Sequence, residues 1–177
     1  EFLHTNRGAY REEYVGTNQD RKTVLLVAYD TTQKKLHEEA YLKEMGFQSC
    51  VFSPSFMELS DDFETVIRKK RIHVLVYNTP KVITLEEAMY LGKIKGNDAW
   101  RIFCDIAIGV KELKHCCHGT IHTNLSPKTI SVYWDKRNKA RGIITNLQYV
   151  CKDSTCKDDM DYEELNPCYT PPEYDTG

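Results

Sequence analysis

The sequence has no surplus of positive charge: 24 Lys+Arg stand against 26 Asp+Glu, for a formal net charge of −2 over 177 residues. There is therefore no global basic surface to hold a nucleic-acid backbone. No apolar run approaches the roughly 20 residues that span a bilayer, so no membrane-inserted helix is expected. A signal-peptide pattern is absent, and so is an initiating Met; the chain opens at Glu1 and is expected to be a piece of something longer. There is no internal repeat and no low-complexity tract. The seven cysteines are odd in number and lack tight disulfide spacing, so reduced thiols in a cytoplasmic setting are expected. What is present is 41% hydrophobic and 28% charged, enough for one sizeable core or two small ones.

Short strands dominate the first third. Leu3 to Gly16 reads as two strands around a turn at Asn6-Arg7-Gly8, and Thr23 to Tyr29 as a buried β-branched strand. A helix is expected from about Thr32 to Met45, with Leu36, Ala40, Leu42 and Met45 near one face and Gly46 as its stop. Phe47 to Ser60 reads as an irregular connection. Phe63–Ile67 and Ile72–Tyr77 follow as strands across the basic turn Arg68-Lys69-Lys70-Arg71. Thr84 is placed to cap a short helix to Leu91. Ile102, Ile106, Val110 and Leu113 form one helical stripe, with Asn97 or Asp98 as its cap. Ile130–Trp134 and Gly142–Thr145 read as a hairpin across Asp135–Arg141, and Cys151–Glu164 as an acidic solvated loop. This order, not a βαβ alternation, predicts an α+β fold.

The motifs, in their order and spacing, resemble a protein-kinase domain. Ile121-His122-Thr123-Asn124-Leu125-Ser126-Pro127-Lys128-Thr129-Ile130 resembles the kinase catalytic loop. Ile144-Thr145-Asn146-Leu147-Gln148 stands where the Asp-Phe-Gly motif would be, and Tyr169-Thr170-Pro171-Pro172-Glu173 where the activation segment would end. Asn6 to Arg11, with Gly8 as the one retained glycine, stands for the glycine-rich loop, and Val24 to Val27 for the phosphate-lysine strand. The resemblance implies a bilobal fold: a small β-rich lobe over 1–79 with one helix, a hinge about 77–80, and a partial helical lobe over 80–177.

The departures fall on the groups that handle charge. Phosphoryl transfer needs a Lys on the phosphates, an Asp by the substrate hydroxyl, and Asp with Asn on Mg²⁺. These positions hold Val27, Asn124, Asn146 and Thr129. Val27 neutralises nothing, and the Asn124 amide accepts no proton near neutral pH. Asn146 and Thr129 are poor ligands for a hard cation. Arg11, at a glycine position, would crowd a phosphate cradle while attracting its charge. Packing positions persist instead, with His122 and Leu147 retained and Leu42 four residues after Glu38. That combination resembles a pseudokinase, nearest to the pseudokinase domains of Janus-type tyrosine kinases, which also carry Asn in the catalytic Asp position.

The resemblance implies a catalytically inactive domain that regulates a protein-kinase domain, in cis or in trans, from a cytoplasmic and receptor-associated location. Neither nucleic acid nor membrane insertion enters. No cofactor is expected. A pocket lined by Gly8, Val27, Glu38, Tyr77, Asn78, Thr79, Asn124, Lys128 and Asn146 would leave room for ATP without Mg²⁺, since hinge contacts at Tyr77, Asn78 and Thr79 run through the backbone. Glu38 lacks a lysine partner at Val27 and is expected in solvent. The alternatives are a nucleotide sensor without turnover, or an atypical kinase with acids recruited from Asp105 or Asp135. His115-Cys116-Cys117-His118 carries zinc-type side chains, but adjacent cysteines lack the C-x₂₋₄-C spacing, so no metal site is expected.

Overall fold

In a computed structural model of the chain, the structure describes residues 3–7, 11–32, 35–51, 53–79, 81–116, 119–152 and 167–169. The fold is mixed α+β. The run Thr23–Asp30 forms β3, the middle strand of a five-stranded antiparallel sheet in the order β1–β2–β3–β5–β4. Its neighbours are β1 (Leu3–Arg7), β2 (Glu12–Thr17), β4 (Glu58–Ile67) and β5 (Lys70–Asn78). Strand alternation turns Leu25, Val27 and Tyr29 to one face, where they are buried with Leu75 and Tyr77.

The basic turn between β4 and β5 is tighter than expected. Arg68 and Lys69 alone make it, each with positive φ (51° and 67°), because a two-residue turn of this hand follows the twist of the flanking strands. Lys70 and Arg71 already pair in the ladder, opposite Ile67 and Val66.

Helix α1 (Lys35–Gln48) corrects the expectation in two respects. It runs through Gly46, which faces open space as an ordinary helical position and does not terminate it. Its hidden face is mixed: Leu36 and Leu42 are 60% and 57% exposed, but Ala40 is buried and Met45 packs on the sheet core as expected, beside buried His37, Glu44 and Gln48. Leu42 is thus no core contact. Glu44 is turned inward because it meets polar groups, described below.

The remaining elements build a second core. Thr84, closing the short strand β6 (Ile83–Thr84), accepts the Glu87 N–H at 3.1 Å and caps α2 (Leu85–Tyr90) as expected. Helix α3 (Gly96–Cys116) starts before Asp98, which lies in its first turn and accepts from the Lys95 N–H and from Arg101. Ile102, Ile106 and Leu113 are buried, but Val110 is 40% exposed. Gly109 takes the inner position instead, because a Cβ there would stand 2.8 Å from Ile144 Cδ1 and 2.9 Å from Ser55 Cβ.

Strands β7 (Thr120–His122) and β10 (Val150–Lys152) pair with each other. The hairpin β8 (Ile130–Trp134) and β9 (Ala140–Ile144) runs in register from Ile130 opposite Ile144 to Trp134 opposite Ala140. In β9, Ile143 joins the core of the five-stranded sheet and Ile144 joins the core under α3. The connection after α1 is packed rather than loose: Ser55 O accepts the Ile144 N–H at 2.8 Å, and Phe56 and Met57 are buried.

The acidic stretch begins later than expected, since Cys151 and Lys152 belong to β10; residues 153–166 lie outside the described residues. Cys151 is buried and disulfide-bonded, which overturns the expectation of thiols throughout, while Cys50 and Cys104 are free. Among the described residues, no helix is long and apolar enough to cross a membrane.

Candidate functional site

The most concentrated chemistry lies where β2, β3, β5, α1 and the one-turn 3-10 helix Leu147–Tyr149 meet. Arg11, immediately before β2, is 5% exposed. One guanidinium nitrogen donates to Glu44 Oε2 at 2.8 Å and to Gln148 Oε1 at 3.2 Å. The other donates to Glu13 and to Asn146 Oδ1. Glu44 also accepts the Tyr29 hydroxyl at 2.5 Å and the Tyr77 hydroxyl at 2.6 Å. Two phenols and a guanidinium thus satisfy a carboxylate taken out of water, the condition under which a buried charge is tolerated.

The charges perturb one another. Burial would lower the Arg11 pKa, but Glu44 and Glu13 outweigh it and hold the guanidinium well above its ordinary value. Burial, then Glu44, pushes the Tyr29 and Tyr77 phenols up. One cation faces two carboxylates, Glu13 and Glu44. A phosphate entering here would meet a cation already committed and a net negative surround.

Asn146 sits in the left-handed region (φ 62°, ψ 49°), a conformation asparagine tolerates better than most side chains. Next to it, the Thr145 carbonyl faces His122 Nε2 at 3.0 Å. A carbonyl only accepts, so His122 carries its proton on Nε2. Its Nδ1 is buried with no hydrogen-bond partner among the described residues. Burial lowers the His122 pKa to about 4, which leaves a neutral ring and a poor base near pH 7.

Thr129 is 3% exposed and its hydroxyl is consumed inside the loop. It donates to the Asn124 carbonyl at 2.6 Å and accepts the Ser126 N–H at 2.9 Å. The Thr129 carbonyl in turn accepts the Thr145 N–H and hydroxyl, each at 2.9 Å. The loop is held by neutral groups that point inward and leave the Thr129 hydroxyl nothing to offer a cation.

The structure therefore brings Asn124, Thr129 and Asn146 into one connected cluster with His122. Val27 is 0% exposed on the inward face of β3, beside Tyr29 and Tyr77. Tyr77 is a core side chain, Asn78 is exposed and Thr79 is buried. Lys128, beside Thr129 in the loop, and Glu38 are exposed; Glu44, six residues after Glu38, is the acid that α1 turns inward. Gly8 lies outside the described residues. Sequence reasoning missed Glu44, Tyr29 and Gln148. The available signal was the polar spacing His37, Ala40, Glu44, Gln48 along one helix face, which a search for apolar stripes passes over. Among the described residues, no group of three His, Cys, Asp or Glu side chains is placed to hold a metal ion. No protein-family model and no curated protein matches this chain.

Proposed function

We propose that the chain is a protein-kinase-like domain that has lost phosphoryl transfer and acts by contact, regulating a kinase domain in cis or in trans. The order of elements supports this reading: a five-stranded sheet with one helix over 1–79, a crossing near 77–80, then α3, the Asn124 loop and the hairpin over 80–177. The observation that carries the reading is Arg11 bonded to Glu44 and Asn146. A cation missing at Val27 is supplied by Arg11, just before β2, but it is spent on internal partners. Removing one transition-state donor costs on the order of 10²–10³ in rate, and here the base and both metal-ligand positions are replaced as well.

The acids that an atypical kinase would need are engaged elsewhere. Asp105 accepts two hydrogen bonds from Arg141, at 2.8 and 3.0 Å, and one from the Gly142 N–H. Asp135 accepts the Arg137 and Lys139 N–H groups that shape its turn. The reading brings with it a cytoplasmic, receptor-associated location.

A thermal-shift titration with ATP, with and without Mg²⁺, tests the proposal. A ligand at 100 times its Kd stabilises by about 2.7 kcal/mol, a visible shift. No shift is expected in either arm. A metal-independent shift supports a nucleotide sensor instead, and a metal-dependent shift accompanied by phosphate transfer overturns the proposal.

A further inference from the structure

The β8–β9 turn carries a cluster that neither core explains. Lys136, Arg137, Lys139 and Arg141 line an open hollow of about 420 Å³ together with Asp135. The turn is rigid: Asp135 N donates to the Lys139 carbonyl at 3.0 Å, Asn138 N to the Asp135 carbonyl at 2.8 Å, and the Asp135 carboxylate accepts two further N–H groups. Asn138 supplies the left-handed residue the turn requires, with φ 54°.

Some exposed cations meet carboxylates, as Lys70 does Asp30, Arg71 does Glu64 and Lys35 does Glu39. Lys136, Arg137 and Lys139 have no ion-pair partner among the described residues. Arg141 is taken up by Asp105. That leaves three cations against Asp135, concentrated on one fixed turn of a chain whose total charge is −2.

We propose that this hollow binds a compact anion bearing two or more phosphate groups, of the class of a phosphorylated inositol. Arg137 offers a planar fork that suits phosphate oxygens, and the two lysines offer mobile point charges beside it. The short span of the cluster matches a small polyphosphate better than an extended acidic peptide. The same chemistry is offered by a free inositol phosphate and by a phosphoinositide headgroup on a membrane surface. The inference is independent of the kinase-like reading.

The test titrates the full chain with soluble inositol trisphosphate by calorimetry, and with phosphatidylcholine vesicles that contain or lack phosphatidylinositol bisphosphate by co-sedimentation. The variant K136E/R137E/K139E keeps Asp135 and Asn138, so the turn geometry survives; circular dichroism checks the fold. Lys93→Glu, an exposed cation between α2 and α3, is the control. Binding is expected to weaken as salt rises, because the cations are exposed. It should weaken at least about tenfold, or 1.4 kcal/mol, in the triple variant and stay unchanged in the control. Soluble binding without vesicle binding assigns the site to free phosphate esters, and binding in both arms adds the headgroup. No binding in either arm, or equal loss in variant and control, overturns the proposal.

Discussion

His122 shows how one buried side chain sets a pH dependence. Burial holds its pKa near 4, against an ordinary value of 6.5. Between those values the unfolded chain binds a proton that the folded chain does not, so unfolding is favoured as pH falls. Its contribution is therefore fully present above pH 6.5, declines from there to about pH 4 and is flat below. At 1.36 kcal/mol per unit the loss is about 3 kcal/mol. Urea unfolding of wild type and His122→Gln across this range should show their stability difference shrinking or reversing by about that amount toward low pH. Parallel curves would mean that the ring takes a proton in the folded state. The carboxylates that titrate nearby are common to the two proteins and cancel in the difference.

Among the elements, α1 and α3 differ in what their sequences reveal. The stripe of α3 was legible because three of its four inner positions are isoleucine or leucine; the fourth was misassigned because a glycine carries no hydropathy signal. Gly109 is inside for its smallness, which lets β9 approach. Replacing it with alanine gains about 1 kcal/mol of helix propensity. The added Cβ, however, meets Ile144 Cδ1 at 2.8 Å and Ser55 Cβ at 2.9 Å, and overpacking typically costs 1–3 kcal/mol. The Ile144 methyl can swing aside, but Ser55 Cβ is fixed by its backbone, whose carbonyl holds Ile144 N. Gly109→Ala should thus lower the melting temperature despite its better propensity. A raised melting temperature would show that β9 yields without cost. In α1 the logic inverts, since the buried face is mixed and only its partners on β2, β3 and β5 could have identified its polar positions. The hairpin strands and the Thr84 cap, governed by local alternation and capping, were legible to within a few residues. Asn124, Thr129 and Asn146 are drawn together by local hydrogen bonds from Thr129 to Asn124 and from Thr145 to Thr129, whereas Glu44 and its phenols depend on contacts 15 to 33 residues apart.

At the level of the whole molecule, two cores must be held to each other, and two of the connections differ in kind. One is apolar: β9 divides its side chains, Ile143 to the sheet core and Ile144 to the α3 core. The other is polar: Arg11 joins the sheet and α1 to Asn146 and Gln148. Removing one partner of a buried ion pair costs about 3–5 kcal/mol, because the survivor is left uncompensated. Arg11→Met leaves Glu44 with two phenols and no cation, and it also severs the link to Asn146 and Gln148. The cost falls on the sheet side, where Glu44, Tyr29 and Tyr77 reside, while Trp134 packs in the α3 core. Wild type should unfold in urea with coincident midpoints by far-ultraviolet circular dichroism and by tryptophan fluorescence, as one cooperative unit does. In Arg11→Met the circular dichroism transition should move to lower urea ahead of the fluorescence transition. Parallel displacement of the two would mean that the apolar connections couple the cores without the arginine, which then serves only to neutralise Glu44.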